Sequence, residues 1–364
     1  MSSSKKYDLK RKEEHDLIRN QVGMVDFTMG VIEITGTDAQ KILDEICVND
    51  IVGLMPGRVR YTSILNEKSE MIDDVTVYCF NSEKFWIVSG LRLKDGTLEW
   101  LEKYGEDKKV GVKDLSKYIA IWAIQGPDSR RVLASYLKED ITGLKYFGFM
   151  ENWAGDSPII ISRTGFTGEL GYEIYATKNQ IGNIVSDLME VGKKYGLKVL
   201  NTDVVINSIP QEKGMIIFRD FNGANPLEIG MEWSIKWDKS FIGKECLLKI
   251  REEGVKRRLM GFVAKDDDID IEPESLVLVE EKIIGKVTSS SYGYTVKQNI
   301  GYCLIDAEFT KVGQTVSILT NGIKVEATIC NRLFYDKKGL KTKGELLNPV
   351  FSKNTKEFFG IKEC

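Results

Sequence analysis

Residues 71–80 read Met-Ile-Asp-Asp-Val-Thr-Val-Tyr-Cys-Phe, two adjacent carboxylates at the head of a run that is otherwise β-branched, aromatic and apolar. Such a run favours a strand, where Asp is disfavoured and costly to bury without a partner. Alternation sends Asp74, Thr76, Tyr78 and Phe80 to one face and Val75, Val77 and Cys79 to the other. A carboxylate and a phenol then face the same way, roughly 13 Å apart at about 3.3 Å per residue. That spacing suits a flat polar ligand lying along the strand. On local pattern alone, the competing reading is that Asp73 and Asp74 close a turn after Ser69-Glu70.

At 364 residues the chain is too long for one small core, and two or three domains are expected. The formal net charge of −3, with no basic cluster interleaved with aromatics, argues against nucleic acid as a partner. The longest apolar runs, such as Ile159-Ile160-Ile161, are far too short to span a membrane. The polar start, Met1-Ser-Ser-Ser-Lys-Lys-Tyr-Asp, lacks the apolar region of a signal peptide, so a cytoplasmic location is expected.

Cys47, Cys79, Cys246 and Cys303 sit in apolar segments and read as small buried hydrophobes. No metal-ligand spacing occurs, and the one histidine, His15, lies in a charged N-terminal stretch that reads as surface. Histidine-based nucleophilic chemistry has almost no material to work with. An enzyme built from this chain relies on a carboxylate, Tyr, Lys or a bound cofactor for proton transfer.

Residues 1–20 read as a short amphipathic helix or frayed arm. Val31–Thr35 reads as a strand, and Thr37-Asp-Ala-Gln40 has the form of a capping box ahead of Ala39, Ile42, Leu43 and Ile46 at helical spacing. Val59–Leu65, Met71–Phe80, Phe85–Ser89 and Tyr118–Ile124 are further strands. A second capping box, Thr177-Lys-Asn-Gln180, opens a helix that Gly196 stops. Strands and helices of this kind imply α+β layers. Beyond about residue 250 the pattern becomes six short strands between Gly, Asn and Asp turns, from Leu259–Val263 to Ile323–Ile329, which reads as a small β domain or barrel. Lys256-Arg-Arg258 is the expected boundary.

Several blocks, in order, resemble one family. They are Gly23-Met-Val-Asp-Phe27, Gly57-Arg-Val-Arg-Tyr61-Thr-Ser-Ile-Leu-Asn66, Met71-Ile-Asp-Asp-Val-Thr-Val-Tyr78 and Ala123-Ile-Gln-Gly-Pro127. Ser162-Arg-Thr-Gly-Phe-Thr-Gly-Glu-Leu-Gly-Tyr-Glu173 follows, then Asn225-Pro-Leu-Glu-Ile-Gly230, Phe241-Ile-Gly-Lys-Glu245 and Gly285-Lys-Val-Thr-Ser289. Together they resemble the glycine-cleavage T-protein (aminomethyltransferase) family, which includes folate-dependent demethylases. The resemblance implies an α+β fold with a small C-terminal β-barrel-like domain, arranged as a three-domain ring around a central folate hole. Two interleaved α+β domains would occupy 1–250, the β domain 256–335, and a tail 336–364.

The same resemblance implies tetrahydrofolate as cofactor and a role for each matched residue. Asp74 takes the place of the catalytic carboxylate, and Glu173 that of the carboxylate pairing with the pterin. Tyr61 and Tyr78 match folate-contacting aromatics, and Phe166 replaces a usual Tyr. Physical chemistry agrees with these roles: a carboxylate can accept both the amine and the ring N–H of a pterin edge, and Tyr61, Tyr78 and Phe166 can serve as aromatic walls. No metal is implied.

Departures from the family set the expected reaction. In Val205-Ile-Asn-Ser-Ile-Pro-Gln-Glu-Lys-Gly214, Ile206 and Pro210 stand where the family carries arginines, and neither can replace a guanidinium. The block ahead of Gly23 is also shortened. These departures favour a tetrahydrofolate-dependent one-carbon transferase acting on a small methylated donor, a demethylase-like reaction, over a partner of the lipoyl carrier protein. A true glycine-cleavage aminomethyltransferase and a non-catalytic folate-binding regulator are the alternatives.

Overall fold

The computed structural model describes residues 8–343. The N-terminal segment behind the cytoplasmic expectation, to Tyr7, and the tail from residue 344 onward lie outside the described residues. The chain begins with helix α1 (Leu9–Asn20) and strand β1 (Gly23–Asp26). A five-stranded sheet follows, formed by β2 (Gly30–Thr35), β3 (Arg58–Leu65), β4 (Met71–Asn81), β5 (Lys84–Ser89) and β6 (Gly111–Asp114) in the order β3-β4-β5-β2-β6. Helices α2 (Ala39–Ile46) and α3 (Lys94–Gly105) pack on its outer face, where Ile42, Leu43 and Leu101 meet Ile34, Val75, Val77 and Ile87.

A second sheet joins β7 (Ile119–Gln125), β8 (Phe149–Ala154), β9 (Ser157–Ser162), β10 (Gly171–Thr177) and β11 (Lys198–Val199) to β1, in the order β11-β1-β7-β10-β9-β8. Helices α4 (Ser129–Ala134) and α5 (Lys178–Gly192) cover its outer face through Val132, Leu133, Ile184 and Leu188. The inner faces of the two sheets meet around Val31, Val59, Tyr78, Trp86, Phe149 and Tyr175. The layers therefore run helix, sheet, sheet, helix, the α+β arrangement expected from the pattern.

Both strand–helix turns are built alike. Ile34-Thr-Gly36-Thr-Asp38 and Ile124-Gln-Gly126-Pro-Asp128 each lead from a strand into a helix, and Gly36 and Gly126 share a φ of +117°. A Cβ on Gly126 would lie 2.5 Å from the Gln21 carbonyl oxygen and 2.8 Å from that of Ile18. Gly126→Ala is expected to cost about 1–3 kcal/mol. Gly182→Ala, with nothing within 4 Å of the added methyl and a helical backbone, should instead stabilise by about 0.5–1 kcal/mol. Urea midpoints of the two variants check the contrast; equal shifts would contradict it.

Neither expected capping box forms. Asp38, not Thr37, is the N-cap of α2 and makes no side-chain cap bond, because its carboxylate reaches across to the Lys109 N–H at 2.8 Å. At α5, Thr177 donates to the Gln180 side chain at 2.6 Å instead of accepting a backbone N–H.

After the second sheet come the short helices α6 (Thr202–Ile206), α7 (Ser208–Glu212) and α8 (Phe218–Phe221), and then a closed barrel. Its strands are β12 (Arg257–Ala264), β13 (Leu276–Val279), β14 (Lys282–Gly293), β15 (Gln298–Asp306), β16 (Thr315–Thr320) and β17 (Ile323–Cys330). Tyr302 and Leu304 of β15 pack with Leu65, Met71, Phe221, Ile229 and Met231, so the barrel abuts the start of β4.

His15 corrects the sequence reading most sharply. It is fully buried, with Nδ1 3.0 Å from Ser208 Oγ and Nε2 2.8 Å from Thr295 Oγ1. One turn on, Arg19 donates to Glu169 at 3.0 Å and Glu212 at 2.9 Å, all three side chains sealed from solvent. The face of α1 that carries Glu14, His15 and Arg19 is an inner face, docked on α7 and the β14–β15 turn of the barrel. Cys246 also departs from expectation, being only partly buried. Among the described residues, no helix is long and apolar enough to cross a membrane.

Candidate active site

Asp73 and Asp74 lie inside β4, so they are strand residues and not the close of a turn. Asp73 points to the core side and is fully buried; Asp74 faces the other way and is partly exposed. Antiparallel pairing sets Tyr61 opposite Thr76, which leaves Tyr61 diagonal to Asp74 on one face. The Tyr61 hydroxyl donates to Asp74 Oδ2 at 2.7 Å. Trp233 stacks on Tyr61 at 6.2 Å between centroids while remaining 71% exposed, so this pair presents an open aromatic surface beside the carboxylate.

Burial, and then the neighbouring Asp73 charge, push Asp74 up to about 8, against the opposing pull of the Tyr61 hydrogen bond. Burial likewise drives the Tyr61 phenol well above its ordinary range. A carboxyl poised near neutral pH can hold a proton and return it. Arg332 adds a cation to the same wall: its Nη2 donates to the Ile229 carbonyl at 2.6 Å, while its buried Nη1 has no acceptor.

Glu173 forms a second centre. In β10, Tyr172 and Ile174 enter the outer core, so Glu173 and Tyr175 point between the sheets. Glu173 Oε2 accepts from Thr164 Oγ1 at 2.5 Å, Tyr175 OH at 3.0 Å and Tyr78 OH at 3.5 Å. Burial raises its proton affinity, and these hydroxyl donors hold it down. Among the described residues no cation pairs with it within 4.0 Å. A buried carboxylate braced only by hydroxyls suits a ligand that brings its own N–H donors.

The expected residues therefore separate into two groups along β4. Tyr61 pairs with Asp74, and Tyr78 pairs with Glu173. Tyr78 is fully buried among Phe149 and Tyr175, which makes it a brace for Glu173; it is not an exposed aromatic wall. Phe166 is partly exposed and stacks on Phe27 at 6.3 Å, outside both pairs, in a turn where Gly168 adopts a φ of +67°.

Sequence reasoning missed Trp233, Arg332, Thr164 and Tyr175. Thr164 lay within the Ser162–Glu173 block, and Tyr175 shares the face of Glu173 by alternation. Trp233 falls three residues past the Asn225–Gly230 block. Nothing local marks Arg332, which reaches the site from the end of the barrel.

Facing α+β layers, a closed barrel, and carboxylates held by hydroxyls beside aromatic rings are the features that set the class of this protein. Residues 3–239 match the family model described as the GCVT N-terminal domain, and residues 257–336 match the glycine cleavage T-protein C-terminal barrel domain. The chain belongs to the glycine cleavage T-protein family, whose members are tetrahydrofolate-dependent transferases. The aminomethyltransferase of Thermoanaerobacter sp. (strain X514) is 32% identical over 329 residues, 89% of each chain. That of Halothermothrix orenii is 33% identical over 313 residues, 84% of this chain and 86% of the relative. The glycine cleavage system aminomethyltransferase T from Bartonella henselae shares the fold, with a TM-score of 0.82 at 22% identity over 90% of each chain.

Proposed function

We propose that this protein is a glycine-cleavage aminomethyltransferase, moving an aminomethyl-derived one-carbon unit to tetrahydrofolate, with a lipoyl carrier protein as donor. The aminomethyltransferase relatives support this over the small methylated donor expected from the sequence. The replaced arginines weigh less than they did in the sequence. Pro210 sits in the first turn of α7, where a missing N–H costs little, and Glu212 of that segment is held by Arg19.

The observation that carries the reading is the pair of carboxylates: Asp74, which accepts from the Tyr61 hydroxyl at 2.7 Å, and Glu173, which is held by hydroxyls with no cation within 4.0 Å among the described residues. Tetrahydrofolate, when bound, supplies the ring nitrogens that take up the one-carbon unit. Glu173 accepts the pterin amine and ring N–H, and Tyr78, Thr164 and Tyr175 hold that carboxylate in place. Tyr61 and Trp233 offer ring faces, Phe166 with Phe27 adds a further apolar surface, and Asp74 holds or returns a proton at its Oδ atoms. Tyr61 fixes Asp74 for that exchange.

Calorimetric titration with tetrahydrofolate tests the assignment. Glu173→Ala removes charge-assisted bonds worth about 1.5–3 kcal/mol, so affinity should fall roughly 10- to 100-fold with the circular dichroism spectrum unchanged. Unchanged affinity would remove Glu173 from the pterin site.

A further inference from the structure

Asp73 is a buried carboxylate that the reaction outlined above does not use. It is fully buried on the core side of β4, among the α2 and α3 helices. Its Oδ2 accepts from Ser89 Oγ at 2.5 Å and Thr97 Oγ1 at 2.7 Å, while its Oδ1 is buried with no partner. Among the described residues no cation pairs with it within 4.0 Å. An uncompensated buried carboxylate is costly, and an apolar residue would serve this core position better.

We propose that Asp73 is a positioning residue for Asp74: a sealed carboxylate on one side of β4 whose charge, acting through the strand, helps keep the proton on the carboxyl on the other side. The inference rests on the reading of Asp74 as the proton-exchanging group. Consecutive strand residues point to opposite faces, so Asp73 acts on Asp74 through the strand, without touching the ligand. The medium between them is protein and not water, which preserves the interaction. Ser89 and Thr97 hydroxyls, one from β5 and one from α3, favour the ionised form of Asp73 against its burial and leave it at about 6. An ionised Asp73 then makes ionisation of Asp74 harder, adding to the effect of burial there.

The other charged and titratable groups around the pair are few. Tyr61 of β3 donates to Asp74; Asp220 of α8 adds a weaker like charge; Arg332 at the barrel end faces Tyr61 and Asp220; Cys47, after α2, faces Asp73. Burial is the largest cause that keeps the proton on Asp74, and the Asp73 and Asp220 charges add to it.

Carboxyl-carbon NMR of the folate-free protein reads the Asp74 titration without any turnover, with Asp74→Asn assigning the resonance. In Asp73→Asn the Asp74 midpoint should fall by about one pH unit, roughly tenfold in proton affinity. Ser89→Ala, a milder change that weakens ionisation of Asp73, should move it the same way by less. The pH profile of kcat should shift with the midpoint, and the folate KM should not. An Asp74 midpoint that stays in place in either folded variant, or a rate loss uniform across pH, would make Asp73 a structural residue and overturn the inference. A shifted midpoint in a protein without one-carbon transfer would instead sink the proposed reaction and leave this inference standing.

Discussion

Asp74→Asn is expected to lower one-carbon transfer by on the order of 100-fold or more, while tetrahydrofolate affinity stays within a few-fold of the native value. Asn preserves the shape of the side chain and can still accept from the Tyr61 hydroxyl, which lies 2.7 Å from Asp74 Oδ2. It cannot hold and return a proton near neutral pH, as a carboxyl lifted to about 8 can. The substitution therefore separates proton exchange from packing. Single-turnover rates with saturating folate are the measurement; a variant transferring at the native rate would make Asp74 a binding residue only.

Arg19→Met should destabilise the protein by about 3–5 kcal/mol, because it strands two carboxylates in a dry interior. Arg19 joins Glu169 at 3.0 Å and Glu212 at 2.9 Å, and it also donates to the backbone carbonyls of Thr167 and Ile209. These bonds tie α1 to the turn that carries Phe166 and to α7, so the loss reaches both segments. Urea midpoints check it, and a midpoint within error of the native one would contradict it.

The same network gives an acid limit. Burial pushes Glu212 up, but His15 and Arg19 outweigh it and hold the carboxyl down at about 2, from 4.5. Its folded pKa is depressed, so the unfolded chain binds the extra proton first. The stabilisation is fully present above about 4.5 and is lost as pH falls through about 2. Stability of the native protein should drop across that window, and Glu212→Gln should flatten the drop.

Much of this architecture is visible in the sequence because local signals and tertiary packing agree there. The six barrel strands follow from short apolar runs between turn residues, and β4 from its β-branched run. The motif order carries the family. What the sequence hides depends on partners distant along the chain. Nothing near His15 announces Ser208 or Thr295, so a charged, polar helix reads as surface although its partners lie about 190 and 280 residues on. Tyr78 shares a face with Asp74, yet strand alternation says nothing of the second sheet that seals it. The repeated Gly-x-Asp turn at Gly36 and Gly126 is legible, but only when the two halves are set side by side.

The most direct test combines the purified protein with tetrahydrofolate and a lipoyl carrier protein loaded with an aminomethyl group, and follows methylenetetrahydrofolate and ammonia together. Stoichiometric formation of both, lost in Asp74→Asn, is the expected result. No product from the loaded carrier, with turnover of a small methylated amine under the same conditions, would contradict the aminomethyl reading and restore the demethylase.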